Sequence, residues 1–280
     1  MIISVASGKG GTGKTTIATN LALSIGRNVQ FLDCDVEEPN AHIFIKPEIK
    51  EKYAVYIPIP QVDPSKCNLC KKCQEVCAFN AIAVLKNEVL VFPEICHGCG
   101  SCSYFCPQGA IKEIDKEIGF IEIGQKKDMK FIHGMLKVGT AIAPPIIKEI
   151  RKHADPTKTV IIDAPPGTSC PVIESISSSD FCVLVTEPTP FGLNDLILAV
   201  EVLRKLQVPF GVVINRSDLG NDDTKDFCKK ENISILMEIP FKKEIASCYS
   251  KGIPIVNEFP EYKKDYQQVF KKIEKYRGSL

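Results

Sequence analysis

Residues 7–16 read SGKGGTGKTT, and this stretch decides the fold. From Gly8 to Thr15 it satisfies G-x-x-x-x-G-K-[ST], a phosphate-binding loop. A motif this short depends on its setting. The β-branched run IISVAS (2–7) precedes it, and TTIATNLALSI (15–25) follows as a helix that stops at Gly26. NVQFLDCD (28–35) is a second strand. Strand, glycine-rich loop, helix, strand opens an α/β fold with a mostly parallel sheet. In such a loop the backbone N–H groups of Gly8, Gly10, Gly11, Thr12 and Gly13 face phosphate oxygens at the positive end of the helix, with Thr16 one turn in. Lys14 would reach the β- and γ-phosphates and Thr15 would ligate Mg²⁺, so the implied cofactors are ATP and Mg²⁺.

Downstream, TVIIDA (159–164), FCVLVTE (181–187) and PFGVVIN (209–215) are nearly continuous apolar strands, as a parallel sheet covered on both faces requires. ISILMEIP (233–240) reads as another strand and LNDLILAVEVLRKL (193–206) as a helix. HGMLKVG (133–139) and APPIIKEIRK (143–152) read as a link from sheet to helix. The 280 residues carry 35 basic and 34 acidic side chains, a balance that argues against broad nucleic-acid or acidic-lipid binding. No apolar run reaches the length of a membrane span. The N-terminus lacks the basic region and cleavage site of a signal peptide, so a cytoplasmic location is expected.

Between residues 57 and 114 the pattern breaks into Cys- and Pro-rich text. Eight of the 13 cysteines lie there: Cys67, Cys70, Cys73 and Cys77, then Cys96, Cys99, Cys102 and Cys106. Both runs are C-x₂-C-x₂-C-x₃-C, the bacterial two-cluster ferredoxin spacing, in which the fourth cysteine of each run serves the other cluster. One [4Fe–4S] cluster would take Cys67, Cys70, Cys73 and Cys106; the other would take Cys96, Cys99, Cys102 and Cys77. Zinc usually sets its C-x₂-C pairs further apart, and a disulfide framework would imply secretion. His97 reads as a packing residue. The expected domains are therefore 1–56 with 115–280, and an inserted small α+β ferredoxin domain at 57–114.

The KGG-x-GKT form of the loop, with a second lysine at Lys9, resembles the MinD/ParA and nitrogenase iron-protein group of P-loop ATPases. With the inserted cysteine block, the chain resembles over nearly its full length the MinD-superfamily ATPases that carry a ferredoxin domain. The resemblance implies a P-loop NTPase fold and ATP hydrolysis in a homodimer, with ATP at the interface and Lys9 crossing to the partner's nucleotide. It implies that Asp35 orients the attacking water and that Asp33 sits nearer the magnesium. Asp163 would hold Mg²⁺ through water, Gly167 would give its N–H to the γ-phosphate, and Asn215 of INRSD (214–218) would contact adenine, with Asp218 nearby. In the iron protein a cysteine seven residues past the same aspartate binds a cluster shared across the dimer. Cys170 has that offset from Asp163. Three readings stay open for it: a cluster or metal ligand at the dimer face, a redox or metal-handling thiol, or a small buried residue packing its helix. Cys34, Cys182, Cys228 and Cys248 read as structural.

YKKDYQQVFKKIEKY (262–276) places Tyr262, Tyr266, Val269, Phe270, Ile273 and Tyr276 on one helical face. Packing against the sheet is expected there, rather than membrane binding. The function expected first is an ATP-driven switch that passes electrons to a protein partner. An ATP-dependent scaffold or carrier that assembles iron–sulfur or other metallocofactors on an apo-protein stands close behind. A positioning ATPase with structural clusters comes third.

Overall fold

The computed structural model describes residues 1–277. Chain order runs β1 (Ile2–Ser7), α1 (Lys14–Ile25), β2 (Val29–Asp33), α2 (Ala41–Ile45), β3 (Glu48–Val62), α3 (Lys72–Glu75), β4 (Ile82–Val84), β5 (Val89–Val91), α4 (Ser101–Tyr104), β6 (Ile111–Lys126) and β7 (Met129–Leu136). It continues with α5 (Pro144–Lys152), β8 (Thr159–Pro166), α6 (Cys170–Ile176), β9 (Phe181–Thr186), α7 (Pro190–Leu206), β10 (Phe210–Asn215), α8 (Asp223–Lys230), β11 (Ile235–Ile239), α9 (Lys243–Ser250), α10 (Ile255–Glu258) and α11 (Pro260–Arg277).

Among the described residues nine strands form one sheet, in the order β11-β10-β9-β1-β8-β2-β7-β6-β3. From β11 to β7 all neighbours are parallel. The parallel strands are largely apolar because helices cover both faces. On one face Ile3, Phe31, Ile161 and Val183 meet Leu21 of α1 and Tyr266, Val269 and Ile273 of α11. The C-terminal helix thus packs in the core as expected, and Tyr276 lies at the rim with its ring 5.3 Å from that of Phe181. Among the described residues no helix is long and apolar enough to cross a membrane.

The segment read as a link is itself a strand. β7 pairs in parallel with β2 and antiparallel with β6. Its short run around His133 carries no clear strand signal by itself; it is a strand because both neighbours supply ladder partners. β3 and β6 pair from Glu48↔Gln125 to Val62↔Ile111, but β7 stops pairing with β6 at Gly119. A Cβ on Gly119 would lie 2.3 Å from the carbonyl oxygen of Met135, so only glycine allows this close passage. Beyond it the two strands leave the sheet as an antiparallel arm bearing α3, β4, β5 and α4. Residues 57 and 114 lie inside β3 and β6, and the two strands stay paired past both, with a bulge between Val55 and Tyr56. The arm is not a tethered bead. One apolar cluster joins Leu32 of β2 through Ile121 and Ile57 to Ala81 and Cys96.

Candidate nucleotide cleft and cysteine cavities

The C-terminal ends of the parallel strands gather around the loop after β1, where ligands bind in such sheets. Gly13 has φ +93°, and a Cβ there would lie 2.6 Å from the Asn215 amide nitrogen. That amide donates to the Thr12 carbonyl at 2.9 Å. Asn215 therefore braces the loop as well as facing the cleft. Gly8 has a packing reason of its own, since a Cβ would lie 2.3 Å from the backbone oxygen of Asp195 in α7. A cleft opens here, lined by Gly10, Gly11, Gly13, Lys14, Thr15, Thr16, Asp35 and Asn215. Arg216, Pro240, Phe241, Lys242, Ile245 and Tyr249 close its far side. The motif reading missed those residues. Their signal was position, just past the ends of β10 and β11. Asp218 accepts the Phe241 N–H at 2.6 Å and so shapes this wall.

Two carboxylates lie beneath the loop, in register on neighbouring strands as Asp33↔Asp163. Both are fully buried. Asp33, expected near the magnesium, holds the following loop: its two oxygens accept N–H bonds from Asp35 and Ala41, each at 3.1 Å. Burial and the Asp163 charge raise its pKa well above the ordinary carboxylate value. Neither oxygen of Asp163 has a closed hydrogen bond. Burial pushes its pKa up to about 7, against the pull of the Thr15 hydroxyl and Lys14. Asp35, at the cleft wall, is raised to about 6, first by burial. An orphaned buried carboxylate beside a threonine hydroxyl fits a hydrated divalent cation, and Thr15 and Asp163 are the residues that would hold it.

This corner has a pH signature. The folded protein keeps a proton on Asp163 up to about pH 7, whereas an unfolded chain releases it near pH 3.8. The folded state binds more protons in that window, so stability of the metal-free protein falls as pH rises from about 4 through about 7. Each such carboxylate contributes at most about 1.4 kcal/mol per pH unit. Thermal melts in chelator between pH 5 and 8 should show the decline, and Asp163→Asn should flatten it.

In the arm, the cysteines surround two cavities. Cys67, Cys70, Cys73 and Cys106 line one, with Val62, Val84 and Ile111. Cys77, Cys96, Cys99 and Cys102 line the other, with Phe79 and Ile82. These are the sets expected from the spacing, each with its fourth cysteine drawn from the other run. The two halves repeat in detail. Leu69 and Lys71 take φ +56° and +64°, where Gly98 and Gly100 take +62° and +74°. The Ala81 N–H points at Cys77 Sγ at 3.2 Å, and the Ala110 N–H at Cys106 Sγ at 3.3 Å. Burial raises the Cys73 thiol and lifts Cys102 to about 11. Four sulfurs spread around an apolar cavity, with N–H groups aimed at sulfur, suit a cubane cluster rather than one metal ion. His97 stacks on Phe79 with ring centroids 3.6 Å apart, the packing role expected of it.

Residues 3–255 match the CobQ/CobB/MinD/ParA nucleotide binding domain. The chain belongs to that family. It is 31% identical over 274 residues to a Methanocaldococcus jannaschii protein described only as uncharacterized, covering 90% of both chains. It is 25% identical over 273 residues to an iron-sulfur cluster carrier protein of Pyrococcus abyssi, covering 91% of this chain and 78% of the relative. Its fold matches the septum site-determining protein MinD of Pyrococcus horikoshii complexed with Mg-ADP, at TM-score 0.60 and 20% identity over 99% of this chain and 97% of that one.

In this MinD/ParA-type P-loop ATPase the residues expected at the γ-phosphate and the dimer face take the following places within one chain. The Gly167 N–H donates to the Ser7 carbonyl at 2.9 Å and is thereby committed within the chain. Lys9 turns back to Glu187 of its own chain, 3.6 Å away. Cys170 is exposed at the first position of α6, which overturns the buried-packing reading. Among the described residues no three His, Cys, Asp or Glu side chains are placed to hold a single metal ion, so Cys170 has no ligand set within one chain. Cys34, Cys182, Cys228 and Cys248 are buried.

Proposed function

We propose that this ATPase is an ATP-dependent iron–sulfur carrier, working as a nucleotide-sandwich homodimer that hands a cluster to an apo-protein. The observation that carries the reading is the exposed thiol of Cys170 on the segment that binds the phosphate loop. Gly167 and Ser7 tie that segment to the loop. A γ-phosphate that drew the Gly167 N–H would break this bond and move the start of α6, three residues on, with its thiol. Two chains would then present two Cys170 thiols to one labile cluster, the cargo. The carrier name of the Pyrococcus abyssi relative supports this reading.

The ATPase steps rest on this chain's residues. Loop N–H groups and Lys14 bind the phosphates, Lys9 of the facing chain would complete the site, and Asp35 would orient water towards the γ-phosphate. Magnesium at Thr15 and Asp163 would neutralise phosphate charge. The two cavities in the arm would hold resident [4Fe–4S] clusters, which store and pass single electrons. A continuous core from Leu32 to Cys96 supports a mechanical link. Within the sheet Glu122 of β6 bonds His133 of β7 at 2.8 Å, and His133 lies in register with Asp33.

The experiment is cluster transfer under anoxia. Reconstituted protein should hand a labile cluster to an apo-ferredoxin at a rate that Mg-ATP changes. Cys170→Ser should abolish transfer and keep the iron of the arm. If wild type and Cys170→Ser carry equal iron and neither donates a cluster, the carrier reading is lost. The two cysteine cavities favour the second reading, electron delivery to a protein partner. Reduced protein would then reduce an acceptor only while ATP turns over.

A further inference from the structure

Glu187 lies just past the end of β9, and its carboxylate is the meeting point of two loops. Its Oε2 is 3.6 Å from the Lys9 ammonium, and its Oε1 accepts a bond from Arg216 Nη1 at 2.7 Å. Only 11% of the Glu187 side chain is exposed. Its backbone is pinned. Its carbonyl accepts the Thr189 N–H at 2.8 Å, and Gly192 passes so close that a Cβ would lie 2.2 Å from that oxygen. Gly220, in the loop after Arg216, packs against the neighbouring Pro188 just as tightly. Glu187 is therefore fixed through its backbone between two cations. Open space surrounds Gly10 and Gly11, while the Ser7 hydroxyl donates to the Lys9 carbonyl at 2.5 Å, so release of Lys9 is a swing of its side chain.

We infer that Glu187 is a latch that keeps Lys9 within its own chain until nucleotide and a second chain compete for it. The two ion pairs are unequal. A contact of 3.6 Å opens at small cost, while the 2.7 Å bond to Arg216 is tight. When Lys9 leaves, the largely enclosed carboxylate keeps Arg216 and is never left bare, which would otherwise oppose release. Arg216 also lines the nucleotide cleft. Base binding and Lys9 release thus act on one carboxylate. Glu187 is a positioning residue: it sets where Lys9 points and does not touch the phosphates. This inference rests on the reading in which Lys9 crosses the dimer.

The test is made on the full-length chain with a non-hydrolysable ATP analogue. Glu187→Gln keeps an acceptor for Arg216 but removes the charge that holds Lys9. The analogue concentration at half-maximal dimer, read by light scattering, should fall by about five-fold, the scale of one weak ion pair. Without nucleotide, acylation of Lys9 read by peptide mass spectrometry should accelerate in Glu187→Gln, while that of the buried Lys14 stays the same. Glu187→Asp, which keeps charge but loses reach, should fall between. In a Lys9→Ala background the Glu187→Gln effect on dimerisation should vanish. Unchanged acylation and an unchanged midpoint, with Lys9→Ala still blocking dimerisation, would overturn the latch alone. If Lys9→Ala dimerises as well as wild type, the cross-dimer reading falls, and the latch's part in dimerisation falls with it.

Discussion

Lys14→Ala should lose ATP hydrolysis by about 10²–10³-fold, the usual cost of removing one group aimed at developing charge. The side chain is buried at the first position of α1. Its charge there pulls down the raised pKa values of both Asp35 and Asp163. Removing it has two consequences. The phosphates lose their one buried lysine, and the two carboxylates lose their nearest counter-charge. The variant should remain folded, because alanine is a better helix former than lysine and the loop's shape comes from Gly13 and Asn215. Steady-state phosphate release measures the loss. The second consequence can be read separately: magnesium-free Lys14→Ala should hold its protons to a higher pH, moving the pH-dependent fall in stability upward. Hydrolysis within about three-fold of wild type would show that the loop does not cradle the reacting phosphates.

Losing a single fourth cysteine should remove the cluster of the opposite run. The arm of the reconstituted protein is expected to carry about 8 iron per chain, and that of Cys106→Ser about 4, a comparison made in a Cys170→Ser background. Its remaining electron paramagnetic resonance signal should match that of Cys70→Ser, because Cys70 and Cys106 line the same cavity. Cys77→Ser should match Cys99→Ser for the same reason. The cross-over makes this a sharp comparison: if each cysteine run held its own cluster, Cys106→Ser would pair with Cys99→Ser instead. Stability should change unequally. Cys96 joins the apolar cluster that reaches Leu32, whereas Cys73 and Cys106 pack on a small separate one with Ile82 and Ile111. Emptying the second cavity should therefore lower the melting temperature of the whole chain more than emptying the first.

Much of the site could be read from the chain because its chemistry is written at short range. A phosphate loop needs successive N–H groups and one lysine within eight residues, so Gly8 to Thr15 announce it. A cubane face needs three thiolates at fixed spacing, so each cysteine run announces its cavity, and the borrowed fourth ligand follows from the known cross-over. The parallel strands are legible because burial on both faces leaves an unbroken apolar run. The part Asp33 plays in holding the next loop was not legible, because an aspartate looks the same in sequence whatever it meets; its bonds to Asp35 and Ala41 exist only in the fold.

The sequence by itself thus determined the nucleotide loop, the parallel strands other than β7 and the two sets of cysteines. Only the tertiary structure decided that β3 and β6 stay paired from sheet to arm, that Phe241 and Tyr249 wall the cleft, that Cys170 is exposed, and that Lys9 lies against Glu187. Each of these depends on partners tens to hundreds of residues apart. Such contacts are selected by packing and by the pairing of charges across the fold, and no local spacing of residue types encodes them.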